Sequence, residues 1–163
     1  MSKGASFHRG ESRQDYETPP VFIDAVVKRF GPLSWDLAAT AHNAKARLCF
    51  GYDPSGNFDD ALTRPWPIDG PLCWLNPPFA NIAPWAKKCA EESAKGCRIL
   101  FLTPASVGSR WFADYVFGKA LVIFLSGPNY RIRFVGAKYP YPKDCILSCF
   151  GLPPGFEIWR WRE

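Results

Sequence analysis

Apolar and polar positions along this chain alternate between two rhythms, one helical and one extended. After Pro19-Pro20, the residues Val21, Phe22, Ala25, Val26, Val27 and Phe30 recur at helical spacing. The prolines stand where a helix begins and lose nothing by lacking an N–H, so the pattern predicts a helix over residues 21–30, stopped by Gly31-Pro32. Residues 33–36 predict a short buried strand ending in the acid Asp36, with the small residues Ala38 and Ala39 in a turn beyond it. From 47 to 66 the signals are mostly turns, centred on Asp53-Pro54-Ser55-Gly56-Asn57. Residues 72–75 predict a strand that must leave the sheet at Asn76, because the prolines that follow cannot continue a ladder. Residues 83–94 alternate Trp85, Ala86, Cys89 and Ala90 with Lys87, Lys88, Glu91 and Glu92, an amphipathic helix that Gly96 closes.

The second half of the chain carries continuous apolar runs at 98–102 and 121–125, with a helical stretch at 109–117 between them. Unbroken apolar strands separated by helices indicate a parallel sheet covered on both faces. Residues 145–150 and 156–161 are strand-like again and are joined by Leu152-Pro153-Pro154-Gly155, which predicts a terminal antiparallel hairpin. The expected fold is therefore α/β, doubly wound and mostly parallel, in one domain over residues 15–163. Residues 1–14, polar and without periodicity, are expected to form a flexible arm able to touch phosphates.

Composition narrows the function classes. With 47% hydrophobic and 21% charged residues in 163, the chain fits one packed domain and neither a disordered nor a fibrous protein. No apolar run approaches the roughly 20 residues of a membrane span and no signal peptide opens the chain, so a cytoplasmic location is expected. The six cysteines, at 49, 73, 89, 97, 145 and 149, form no CxxC pair and sit mostly in apolar runs, so they are expected to be buried, reduced thiols. With only His8 and His42 to add, no metal site is expected. A net charge of +5 permits a polyanionic partner.

Ligands of open α/β sheets sit beyond the carboxyl ends of the strands, where this chain places Asp36 and Asn76. In Asn76-Pro77-Pro78-Phe79, two prolines stiffen the backbone and remove two donors, leaving carbonyl oxygens and the Asn amide oxygen as acceptors beside an aromatic face. Such a pocket suits an amino group on a flat ring. Arg110, Arg131, Arg133, Lys138 and Lys143 stand among Tyr130, Phe134, Tyr139 and Tyr141, a mixture suited to backbone contact and base stacking on DNA. Trp159 and Trp161 alternate with arginines as in a strand and are assigned to packing.

These motifs, in this order, resemble the amino-type methyltransferases with the [DNS]-P-P-[YF] motif, and among them the small Dam-like phage DNA N6-adenine methyltransferases. The resemblance covers roughly residues 15–150. It rests on Thr18-Pro19, Trp35 to Ala39, Trp66, Asn76 to Phe79, Trp85, Leu102 to Ala105, Trp111-Phe112 and the segment 127–134. It implies a Rossmann-like methyltransferase fold, S-adenosylmethionine as cofactor and DNA as partner. By the same resemblance, the Asn76 side-chain oxygen and the Pro77 carbonyl accept bonds from the adenine amino group, with Pro78 stiffening the turn and Phe79 stacking on the flipped base. Asp36, Ala38 and Ala39 are implied at the methionine end of the cofactor, with Thr18 and Pro19 as a second wall. Asp53, Asp59 and Asp60 are candidates for its ribose hydroxyls and adenine. The chain departs from the broader pattern in having Asp-Leu-Ala-Ala where a glycine-rich turn is common. Methylation of cytosine N4, RNA adenine or a protein glutamine, and a catalytically silent nucleic-acid-binding module, are the alternatives.

Overall fold

The computed structural model describes residues 16–39, 43–51 and 59–163. The arm over 1–14 and Asp53 lie outside the described residues. Helix α1, Pro20–Phe30, ends in Lys28 and Arg29, whose charges complement the carbonyl end of the helix dipole. It stops at Gly31, which takes φ +97°, a conformation open to glycine alone at little cost, and donates its N–H to Val27 at 2.9 Å. The remaining elements are β1 (Trp35–Ala39), β2 (Leu48–Gly51), α2 (Asp59–Thr63), β3 (Leu72–Leu75), α3 (Ala83–Ser93), β4 (Arg98–Pro104), α4 (Arg110–Tyr115), β5 (Leu121–Leu125), β6 (Cys145–Phe150) and β7 (Gly155–Trp159).

The strands form one seven-stranded sheet in the order β2-β1-β3-β4-β6-β5-β7. Every pairing is parallel except those of β6, which runs antiparallel to both β4 and β5. The pleat sorts alternate residues of each strand into two core layers. Cys73, Leu75, Ile99, Phe101, Val122 and Ile146 pack with Ala61 of α2, Trp85 and Cys89 of α3, and Phe112 of α4. Leu72, Trp74, Leu100, Leu102, Ile123 and Leu147 pack on the other side with Phe22 and Val26 of α1 and with Ile132, Phe134 and Trp161. Apolar runs at β3, β4, β5 and β6 are thus unbroken because both faces of each strand are covered.

Three expectations are corrected. The terminal hairpin does not form: β7 runs opposite to β6 but pairs with β5, Val122 lying across from Phe156. Strand β6 is buried along its whole length and both of its edges are taken, by β4 and by β5. The chain at residues 151–154 therefore crosses β5, a span of about 10 Å between second-neighbour strands, to reach the vacant edge. Gly151 makes that departure at φ +89°, with a Cβ position only 3.0 Å from the Arg98 side chain. Second, β1 continues through Ala38 and Ala39, which are strand residues rather than a turn, because Ala39 pairs with Gly51 of β2. Third, β2 and α2 occupy a region whose turn residues had hidden them. The cysteines are free thiols, all buried but the half-buried Cys49, and Cys73 and Cys97 approach to 3.9 Å without a disulfide. Among the described residues no helix is long and apolar enough to cross a membrane.

Candidate active site beyond the end of strand β3

Strand β3 ends at Leu75 because Pro77 and Pro78 have no N–H to give a neighbour, and Asn76 is left at the sheet edge. Its side chain is fixed by the segment that precedes α1. The Asn76 Nδ2 donates to the Tyr16 carbonyl and, at 3.0 Å, to the Thr18 Oγ1. A carbonyl only accepts, so the amide nitrogen must face Tyr16 and the oxygen must point away. That oxygen, Asn76 Oδ1, is buried and has no hydrogen-bond partner among the described residues. A buried acceptor left unpaired costs about 1–3 kcal/mol, and a ligand donor recovers it.

Tyr16, whose carbonyl holds Asn76, and Phe79, three residues beyond Asn76, belong to a cluster of four rings. Tyr16, Phe79, Phe134 and Tyr141 are in mutual contact, with centroid separations from 5.0 Å for Tyr16 and Phe134 to 5.9 Å for Phe79 and Phe134. Phe79 is half-buried and packs against both core layers, so it marks where they meet at the end of the sheet. Burial pushes the Tyr141 phenol up to about 12, with Cys145 and Tyr16 adding to the effect, so it stays neutral and can donate a hydrogen bond. The segment bearing Phe134 and Tyr141 is tied down by backbone bonds from Val135 to Glu17 (3.0 Å), Tyr141 to Ile132 (2.8 Å) and Ala105 to Asp144 (2.8 Å). The Trp161 indole adds a bond to the Tyr130 carbonyl at 2.8 Å.

Asp36 lies level with Trp74 of β3, two residues before Asn76. The carboxylate is 3% exposed and accepts the Ala38 N–H (3.2 Å) on one oxygen and the Lys45 N–H (2.9 Å) on the other. Burial raises its pKa to about 6, more than the two N–H bonds and the Lys45 charge lower it. Lys45 Nζ in turn donates to Glu17 at 2.8 Å. Residues 16–18 therefore join two sites: Glu17 reaches the Asp36 side through Lys45, while Tyr16 and Thr18 hold Asn76.

Of the residues the sequence singles out, Asn76, Pro77, Pro78 and Phe79 meet Thr18 here, and Asp36 stands on the adjacent strand. Thr18 and Pro19 are buried, and the Thr18 hydroxyl is engaged by Asn76. Ala39, 2% exposed, is packed into the core, while Ala38 is half-buried. Asp59 and Asp60 open helix α2. Arg131, Arg133, Lys138 and Lys143 are exposed on one segment, whereas Arg110 projects from α4, on the opposite face of the sheet, and pairs with Asp114 at 3.2 Å. Arg131 lies 3.6 Å from Asp144, Arg133 donates to the Ala137 carbonyl at 2.9 Å, and Lys138 sits over the Tyr139 ring. Sequence reasoning missed Tyr16, Glu17 and Lys45. Tyr16-Glu17 directly precedes the Thr18-Pro19 pair and carried a usable signal, whereas Lys45 meets Asp36 through a backbone N–H and Glu17 through its Nζ, contacts between distant segments that no residue pattern announces.

The DNA N-6-adenine-methyltransferase (Dam) family matches residues 6–146. A DNA N-6-adenine-methyltransferase of Haemophilus phage HP1 (strain HP1c1) is 24% identical over 128 residues, covering 77% of this chain and 69% of its own length. No solved structure matches. The matched span contains Asn76 with its unpaired acceptor, the residues that hold it and the buried carboxylate of Asp36, and on that span this chain belongs to the DNA N-6-adenine-methyltransferase (Dam) family.

Proposed function

We propose that this protein transfers a methyl group from S-adenosylmethionine to the N6 amino group of adenine in DNA, as a single methyltransferase domain over residues 15–163 with a doubly wound fold, acting in the cytoplasm. The observation that carries the mechanism is the buried Asn76 Oδ1 without a partner beside four aromatic rings. An exocyclic amino group donates two hydrogens, and Asn76 Oδ1 with the Pro77 carbonyl supplies two acceptors of matching kind. Their bonds strengthen as positive charge develops on N6, so they favour the transition state over the bound base. Because the amide is held by Tyr16 and Thr18, that polarity is set before the base arrives. The base reaches it only when flipped from the duplex, and stacking on Phe79 offsets part of a cost of a few kcal/mol.

When bound, S-adenosylmethionine supplies a sulfonium methyl open to in-line displacement by the amino nitrogen. The residues fit this group at one point in particular: Asp36 is a buried carboxylate whose oxygens, among the described residues, each accept one N–H, leaving lone pairs for an ammonium. On this reading Ala38 and Ala39 allow close approach of the cofactor and Thr18 and Pro19 supply its second wall, and Asp53, Asp59 and Asp60 remain the candidates for its ribose and adenine. Asp36 holds and orients; it need not move a proton in the transfer itself. Arg131, Arg133, Lys138 and Lys143 lie on the segment whose inner rings wall the pocket and are suited to DNA backbone contact. Labelled S-adenosylmethionine and unmethylated duplex DNA, followed by nucleoside analysis, test the proposal. N6-methyladenine is the expected product; N4-methylcytosine, or no labelled nucleoside, overturns it.

A further inference from the structure

We infer that the carboxyl-terminal Arg162, together with Arg131 and Arg133, forms a phosphate-binding groove that holds the DNA strand beside the flipped adenine. This rests on the proposed function for the identity of the nucleic acid, but the groove itself comes from residues outside the pocket, and Arg162 lies beyond the span the family covers.

The groove has a volume of about 380 Å³ and is lined by Gly127, Asn129, Tyr130, Arg131, Arg133, Pro140 and Arg162, with no acidic side chain among them. A second open groove, of about 460 Å³, shares Asn129 and Arg162 and carries Glu163, so Arg162 stands between two adjoining depressions, with the acid on the far one. Among the described residues neither Arg133 nor Arg162 has a carboxylate partner, while Arg131 keeps Asp144 at 3.6 Å. Three guanidinium groups around a concave surface, two of them without a carboxylate partner among the described residues, suit an oxyanion that accepts from two N–H groups at once.

The groove is tied to the pocket by chain geometry. Ile132 and Phe134 are buried and Arg131 and Arg133 exposed, so successive side chains point to opposite sides of one segment. Phe134 and Tyr141 wall the pocket; their neighbours Arg133 and Pro140, one residue or about 3.8 Å of backbone away, line the groove. The outer side of the segment thus binds the strand whose base the inner side receives. The second wall is held by Trp161, 5% exposed, whose indole donates to the Tyr130 carbonyl and carries the Arg162 guanidinium at 4.3 Å over its ring. A stacked guanidinium is pre-oriented and loses less freedom on binding than a free side chain.

The test measures binding of a short fluorescein-labelled duplex to the full chain by anisotropy across a salt series, for the parent, Arg162→Ala and Arg162→Lys. Arg162→Ala is expected to lower the magnitude of the log affinity against log salt slope by about 1 and to weaken binding about tenfold, with melting temperature unchanged. Arg162→Lys should keep the slope, since it keeps the charge. An unchanged slope in a folded Arg162→Ala protein overturns the inference, as does equal competition by polyglutamate, which carries charge without phosphodiesters. Should Arg162→Ala disturb the terminus, Arg162→Gln preserves the stem over Trp161 while removing the charge, and its slope is read against the same expectation. Product analysis separates the two proposals: a changed slope without methyl transfer sinks the activity alone, and N6-methyladenine formation with an unmoved slope sinks the groove alone.

Discussion

Substitution of Asn76 separates chemistry from architecture because its side chain does two jobs through different atoms. The Nδ2 side ties Tyr16 and Thr18, and the Oδ1 side faces the pocket unpaired. Asn76→Ala removes both. Losing the structural pair costs about 2 kcal/mol, because the Tyr16 carbonyl is left without a donor while the Thr18 hydroxyl can turn elsewhere; for a chain of this size that is about 4–8 °C in Tm. Losing the acceptor costs about 2.7–4 kcal/mol in the transition state, a hundred- to thousandfold in single-turnover rate. Asn76→Asp breaks the correlation. At neutral pH it sets a carboxylate oxygen against the Tyr16 carbonyl, so its stability should fall at least as far as that of the Ala variant, yet an acceptor still faces the base and more activity should survive. Melting curves and single-turnover methyl transfer on the same preparations read both quantities. If Asn76 served only as a strand-end cap, both variants would melt early and turn over normally per folded molecule. A folded Asn76→Ala protein with the parental rate refutes the mechanism.

Thr18→Val, nearly isosteric, should cost about 1 kcal/mol in stability and about tenfold in turnover with little change in DNA KM, since it frees the Asn76 amide without touching the base; steady-state kinetics checks the split. Glu92 is buried and accepts from Lys88 (2.6 Å), Lys95 (3.0 Å) and the Trp66 N–H (3.3 Å); burial acts to raise its pKa, but these partners outweigh it and hold it low. Its stabilisation is therefore present above the ordinary value of 4.5 and lost as pH falls through the lower folded value, and Glu92→Gln should flatten that acid limb of the stability profile. Asp36 has the opposite sign: its pKa rises from 3.8 to about 6, so the fold is most stable below the unfolded value and loses stability as pH climbs to about 6. Cofactor affinity, which uses the ionised form, should strengthen through the same window by up to about tenfold per pH unit. In Asp36→Asn, calorimetry should find weaker binding with that step gone; a persistent step would remove Asp36 from the cofactor site.

Strands β3, β5 and β6 were legible to the residue, because a strand buried on both faces writes itself as an unbroken apolar run bounded by proline or glycine. What the pattern did not carry was adjacency. The run at β7 announces a strand, but whether its partner is β6 or β5 depends on which edges are already occupied, and the insertion of β6 between β4 and β5 is a contact between distant segments. Strand β2, only four residues long and flanked by turn formers, gives no periodicity to read. In the site, Asn76 to Phe79 stood out because two consecutive prolines at a strand end are rare chemistry. Tyr16 was missed because its aromatic partners Phe79, Phe134 and Tyr141 are scattered along the chain and converge only once the sheet is built. Arg110 shows the same limit from the other side: a basic residue near others in sequence is carried by α4 to the other face of the sheet.

The ring cluster constrains how an adenine enters on the proposed function. A base stacked face to face between two rings needs about twice the van der Waals separation of carbon atoms, near 7 Å between their centroids. Every pair among Tyr16, Phe79, Phe134 and Tyr141 is closer than that, the widest being 5.9 Å. A base sandwiched between two of them would therefore displace a ring rather than fill a vacancy. Each aromatic pair given up is worth about 0.5–1.5 kcal/mol, and stacking of a base on an aromatic returns about 1–3 kcal/mol. Exchange of partners is close to neutral, so the rings neither bar the base nor select it. Selection falls to an acceptor that gains without losing a partner, the buried Asn76 Oδ1, which has none among the described residues until an amino group arrives. A base with a carbonyl at that position would set oxygen against oxygen and pay the ring exchange for nothing, which is why an amino-bearing base is the one this pocket can hold.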